Sequence, residues 1–515
     1  MISPLRRRLA AVALLAIGVA TFRWLRRRPA GSPALGPGPV SAPAEPASAP
    51  AEPAPAPPTP LAPAISAPAA SARARRRPRR RTTLIGAVAL VVLVAAGVAA
   101  GYVLHVRDAG SDVVGTSTVE FVVTEPPAAT ATTTAPPPVT VPALPGRPTR
   151  PARPTLPPVV WPTYGFENRR LRSVPSALRP PFRSVWAFGR RSLIEFPPTL
   201  AYGRLTVAVN HGDLFSLDAR TGKVMWTFVS GRCVAASTAV ANRVVYASFL
   251  NRPPCNSKAA GIDGEVIAFD ALTGRICWRA AVGPTESSPL VANGLVYIGD
   301  WNGKVHALDA ATGAARWTFQ TGGKVKSAAA LADGRVVIGS YDSHVYALDA
   351  RTGALIWKAS AQQRLGGRGT FYATPALAFG RVYIGSTDGK VYSFGASTGT
   401  LRWSHSTGGY VYASAAVWRR LVLVGSYSGR FFALDAATGE ERWRFRAAGP
   451  ISGSAVVIGD VVYVSTLARR TYALDAATGK LLWTFPEGKY AAAIADVGRL
   501  YLVGYTRLYA MVPAR

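Results

Sequence analysis

The chain is 515 residues long and carries 59 lysines and arginines against 27 acids, a formal net charge of +32. That charge is spread along the sequence and no nucleic-acid-binding motif goes with it, which argues against a nucleic-acid partner. Five histidines without ligand spacing, and no nucleophile–base pair, argue against metal-dependent or hydrolytic catalysis.

From the N-terminus, residues 1–28 form a basic and apolar leader. Its apolar run, Leu9 to Phe22, lies between Arg6-Arg7-Arg8 and Arg26-Arg27-Arg28. Its shortness leaves three readings open: a second membrane span, an interfacial segment or a signal-peptide core. Residues 29–83 are Pro/Ala-rich and then Arg-rich, with too little apolar content to fold, and are expected to be a disordered cytoplasmic segment. Residues 84–104 are uncharged and mostly apolar, about 31 Å long as a helix, which predicts a transmembrane helix. The arginine cluster between Arg73 and Arg81 places the preceding side in the cytoplasm and everything after residue 104 outside. The expected location is therefore the cell membrane, single-pass or two-pass, with an extracytoplasmic C-terminal domain. Residues 105–160 are a Pro/Thr-rich linker, and 161–181 a lead-in.

From residue 182 to 515 one phrase dominates. It reads FSLDARTGKVMW, IAFDALTGRICW, HALDAATGAARW, YALDARTGALIW, YSFGASTGTLRW, FALDAATGEERW and YALDAATGKLLW, ending at Trp226, Trp278, Trp317, Trp357, Trp403, Trp443 and Trp483. Trp186 stands ahead of the series, and a three-strand tail follows it. Spacings of 40, 52, 39, 40, 46, 40 and 40 residues between tryptophans, with four short apolar runs per unit, predict propeller blades. In six of the seven copies an aspartate caps the turn (the fifth has Gly395 there), and in every copy the glycine closes it with a positive φ and the tryptophan fills the wedge between blades. If the strand around Trp186 joins the C-terminal three, the ring closes with eight blades and no free edge. The fold class expected is all-β: an eight-bladed β-propeller closed by an N-terminal strand, preceded by a transmembrane helix and disordered linkers.

This phrase resembles the pyrroloquinoline-quinone (PQQ) type propeller repeat with its tryptophan-docking motif, over about two-thirds of the chain. The resemblance extends to quinoprotein alcohol dehydrogenases, BamB-type assembly factors and some kinase sensor domains, so fold alone does not choose a function. The dehydrogenases of the family imply a quinone in the central channel, an adjacent Cys-Cys disulfide and a calcium site. Here no adjacent cysteines occur and no Glu/Asn/Asp set is evident. The reading is a non-catalytic protein-binding or assembly scaffold without cofactor. Its partner is an envelope protein or an anionic polymer; a ligand-sensing domain is the alternative, and a quinone dehydrogenase the less favoured one.

Function is expected where the repeats differ. The 52-residue spacing comes from an enlarged turn, Asn251 to Gly264, and Cys255 in it faces Cys233 in the connector on the same side, a candidate disulfide. Cys277, beside Trp278, is expected to be a buried free thiol. Aligning the blades sets Glu195, Val234, Thr285, Lys326, Tyr372, Val411, Ser452 and Tyr490 in one column at the channel mouth. Phe196, Ala235, Glu286, Ser327, Ala373, Tyr412, Gly453 and Ala491 form the next. On the same face, Arg232, Trp301, Lys324, Tyr341, Arg364, Arg368, Tyr427 and Lys489 form a candidate binding surface, aromatics mixed with cations.

Overall fold

Each repeat folds into a four-stranded antiparallel sheet because a turn reverses the chain after each strand. The computed structural model describes residues 158–253, 255, 263–363, 368–491 and 493–514. The leader, the Arg-rich segment, the expected transmembrane span, the linker up to residue 157 and Arg364 lie outside the described residues. Among the described residues no helix is long and apolar enough to cross a membrane.

The fourth blade shows the build. Its strands are Ala330–Ala332, Arg335–Gly339, His344–Asp349 and Leu355–Ser360, in that order across the sheet. The middle strands are buried on both faces, since neighbouring blades pack on each side, and so read as continuous apolar runs. The last strand alternates between exposed and buried positions and turns Trp357 inward. A one-residue shift of register between Ala347 and Leu348 sets that ring's aim, and the same shift precedes the tryptophan in the other phrase-bearing blades. At the turn, the Asp349 carboxylate accepts from the Arg351 and Thr352 amides and the Thr352 hydroxyl, at 3.1, 2.8 and 2.8 Å.

Blades are joined by tryptophan on glycine. The Trp317 ring lies against Gly353 of the next blade, where φ is +74°, and its Nε1 donates to Ala350 O at 3.1 Å. Trp226, Trp278, Trp357 and Trp403 repeat that donation, to Ala271, Ala310, Ala396 and Ala436. Trp186 lies against Gly222 and Trp443 against Gly479, while Trp483 meets Phe182 edge-on at 5.7 Å.

Among the described residues the strands form eight sheets of this kind. The eighth pairs Phe182–Gly189 with Arg507–Pro513, followed by Leu500–Val503 and Ala493–Ala495. Two sheets carry a fifth strand, drawn from residues that the sequence marks only as linker end and lead-in. Val159–Trp161 adds antiparallel to Thr199–Ala201, and Ser173–Val174 adds parallel to Val456–Ile458. Between them the carbonyls of Pro162, Asn168, Arg169 and Leu171 accept from the amides of Val240, Leu331, Leu377 and Val417, all on innermost strands. The Thr163 hydroxyl reaches Pro289 O at 3.2 Å. The innermost strands turn an edge toward the channel that no neighbouring strand of their own blade pairs, and buried amides there need acceptors. Residues 159–174 supply them and close one end of the channel.

Candidate functional site

Above this floor the channel holds a cavity of about 230 Å³. The floor is Tyr164, whose hydroxyl lies 2.7 Å from Ser454 Oγ. Around it runs a collar in which one blade's amide donates to a hydroxyl of the next. Ser237 N donates to Ser288 Oγ, Ala328 N to Thr374 Oγ1, Thr374 N to Ser414 Oγ and Ser414 N to Ser454 Oγ, at 3.0, 3.2, 2.9 and 2.9 Å. The sequence reading missed this collar. Its signal was a Ser or Thr recurring just before the short inner strand.

The wall residues come from both aligned columns. Glu195, Lys326, Tyr372, Ser452 and Tyr490 line the cavity as the first column has it, but the residues facing it from the third and sixth blades are Glu286 and Tyr412. Thr285 and Val411 are instead buried, Thr285 donating to Gly299 O at 2.7 Å and Val411 packing between blades. In those two blades the alignment was one residue out of register, and in a strand-like connector one residue exchanges the two faces.

Charge in the cavity is uneven. The Lys326 ammonium donates to Glu286 Oε1 at 2.9 Å. Among the described residues Glu195 accepts only from Asn210 Nδ2, at 3.3 Å. Burial, reinforced by Glu286, pushes Glu195 up to about 7, against the opposing pull of Asn210, Lys326 and Lys489. Burial and the two glutamates also hold the Tyr372 phenol well above its ordinary value.

The rim residues separate into three groups. Arg232 is held in ion pairs, to Asp263 at 2.7 Å and to Glu265 at 2.9 Å. Beside it Cys233 and Cys255 form a disulfide with a Cα–Cα distance of 5.7 Å. Trp301 is buried in the same cluster with Cys233 and Leu250, so it supports the rim from beneath instead of presenting a face. The Lys324 and Lys326 ammoniums lie over its ring at 5.3 and 4.8 Å. Lys489 lies 4.8 Å from both the Tyr490 and Tyr505 rings. The open part is an arc of tyrosines: Tyr341 meets Tyr372 at 6.4 Å, Tyr372 meets Tyr412 at 5.4 Å and Tyr412 meets Tyr427 at 5.1 Å. Tyr410, which the sequence reading passed over, extends it and is 55% exposed. Arg368 is exposed.

Cys277 is free and exposed, not buried, because the outer strand turns Trp278 inward and so turns its neighbour out. This contrast gives a prediction. Cys233→Ser is expected to lower stability by about 2 to 3 kcal/mol in urea titrations without reductant, while Cys277→Ser stays within about 0.5 kcal/mol of the parent. Equal effects would show that the disulfide adds nothing.

Residues 262–415 and 407–512 match the family described as outer membrane protein assembly factor BamB. The chain is 34% identical over 134 residues to outer membrane protein assembly factor BamB of Moranella endobia (strain PCIT), covering 24% of this chain and 31% of that protein. It is 33% identical over 157 residues to the alcohol dehydrogenase (quinone), dehydrogenase subunit, of Gluconobacter oxydans (strain 621H), covering 25% of this chain and 19% of that one. The chain thus spans less than a third of the length of either relative. The crystal structure of BamB from Moraxella catarrhalis superposes with a TM-score of 0.52 at 19% identity, over 65% of this chain and 98% of that one, a likeness of fold.

Proposed function

We propose that this PQQ-like β-propeller, which resembles BamB, works as a non-catalytic protein-binding or assembly scaffold in the cell envelope. The observation that carries the reading is the asymmetry of its two ends. One end of the channel is closed by the chain's own residues 159–174, whereas the other opens through an arc of tyrosines edged by Lys324, Arg368 and Lys489. Aromatics with cations at the margin are the composition of recognition surfaces. In this reading Tyr341, Tyr410 and Tyr427 are the contact residues and Arg368 lies at the edge. Residues 84–104 hold the domain to the membrane from outside the cytoplasm, a location in keeping with the disulfide. An anionic envelope polymer is a second partner consistent with the excess of basic side chains.

The channel's donor set argues against quinone chemistry. The cofactor of the related dehydrogenases is a tricarboxylate, and this cavity would meet it with Glu195 and Glu286, while Lys326 is already paired. Among the described residues no group of three His, Cys, Asp or Glu side chains could hold a metal. The residues present do not fit that cofactor.

The test is site-specific photo-crosslinking in intact cells. Probes at Tyr410 and Arg368 are expected to give discrete adducts that probes at Arg220 and Arg351, on the opposite face, do not. Adduct patterns independent of face would sink the scaffold reading, as would dye-linked alcohol turnover after loading with the quinone and calcium.

A further inference from the structure

We propose that the channel cavity binds a small organic cation, its primary or methylated ammonium head seated among the Tyr372, Tyr412 and Tyr427 rings and facing the Glu195 carboxylate. This does not depend on the scaffold reading, which concerns the rim and shares with the cavity only Tyr427.

Four observations converge. The first is charge balance across the cavity: Lys326 already neutralises Glu286, whereas the direct partner of Glu195 is an amide. The second is ring geometry. Tyr412 packs edge to face against Tyr372 at 84° and against Tyr427 at 63°, and all three rings line the cavity, so they form an aromatic box along one wall. The negative face of a phenol ring attracts an ammonium, most strongly where water is kept out.

The third observation is that the protein places its own ammonium groups in this way on either side of the box. Lys326 covers Trp301 and Tyr341 at 4.8 and 5.6 Å, and Lys489 covers Tyr490 and Tyr505. No cation of the described residues lies over Tyr372, Tyr412 or Tyr427. The fourth is size. A cavity of about 230 Å³ with a closed floor admits a head group but not a drug-sized ligand.

The same facts exclude the rival ligands. A hard metal ion wants a shell of oxygen ligands, and an ammonium already stands among these side chains. An anion would have to approach Glu195. A neutral sugar would use the hydroxyl collar and gain nothing from the carboxylate.

Proton linkage supplies a signature. Around Glu195 stand Glu286, Lys326, Lys489 and Tyr372, and burial with Glu286 raises its carboxyl to about 7. A bound cation favours the ionised form. Affinity is therefore full above that value and falls as pH drops through it.

The experiment is calorimetric titration of the full-length chain in detergent with choline, its uncharged tert-butyl isostere, and glucose. Choline is expected to bind at least about ten-fold more tightly than the isostere, and Glu195→Gln to lose about ten-fold in affinity along with the pH dependence. Tyr412→Ala is expected to lose a similar factor and Tyr412→Phe to keep most of the affinity, since the ring remains. Glu195→Gln is nearly isosteric, so an unchanged melting curve separates loss of binding from loss of fold. Equal binding of choline and isostere would overturn the proposal. So would glucose binding that survives Glu195→Gln, or no saturable choline binding up to about 10 mM.

Discussion

Arg170→Ala is expected to lower stability by about 3 to 5 kcal/mol, read as a fall in the urea midpoint at unchanged slope. The guanidinium is fully buried and forks three ways beneath the channel. Its Nε donates to Ala329 O at 2.8 Å, its Nη1 to Thr163 Oγ1 at 2.6 Å and to Tyr164 O, and its Nη2 to Pro289 O at 3.3 Å. One side chain therefore ties residues 159–174 to the third and fourth blades and positions the tyrosine at the cavity floor. Burial, with Arg172 close by, presses its pKa down to about 9, and it is still charged at neutral pH. Alanine would leave buried carbonyls without donors, and each costs about 1 to 3 kcal/mol. Lysine would keep the charge but not the fork, and recovers only part of the loss. A change of less than about 0.5 kcal/mol, the range of a surface substitution such as Arg220→Ala, would mean that the floor segment is not held through this residue.

Gly439→Ala is the second large effect, expected to cost about 2 to 4 kcal/mol. A Cβ there would stand 2.6 Å from Cδ2 of Trp403, the most deeply buried of the docking tryptophans, and φ is already +78°. The control separates the two causes. Gly334 has φ +71° with nothing within 4 Å of an added Cβ, so Gly334→Ala carries the backbone term alone, about 1 to 2 kcal/mol. Trp403→Ala removes the other half of the contact and is expected to cost about 3 to 5 kcal/mol. If the two glycine variants prove equal in thermal melts, the tryptophan is not packed against the glycine as described.

What was legible in the sequence was whatever repeats. Seven phrases reveal strands, turns and docking rings because each copy has the same local chemistry, and averaging over copies removes the accidents of any one. What was not legible occurs once. The floor strands Val159–Trp161 and Ser173–Val174 are three and two residues long, with no periodicity to detect. They are ordered by the free edges of other strands and not by their own composition. The burial of Trp301 was missed for a related reason: an aromatic at a turn reads as exposed until the disulfide-linked cluster beneath it is seen. At the cavity, Glu195, Lys326 and Tyr372 were identified from alignment. Glu286 and Tyr412 were assigned one step deeper, because connector length varies between blades and a single residue decides which face a side chain takes.

The eighth blade has a consequence for biosynthesis. Its outer strand, Phe182–Gly189, is made before the seven phrase-bearing blades, and the partner it pairs with, Arg507–Pro513, after all of them. Until Arg507–Pro513 has emerged, the nascent propeller is an arc with an uncovered blade face at each end. A transcript that stops short of Leu500 thus yields no smaller propeller but an unclosed arc whose two exposed blade faces complement those of its neighbours, the geometry from which chains polymerise head to tail.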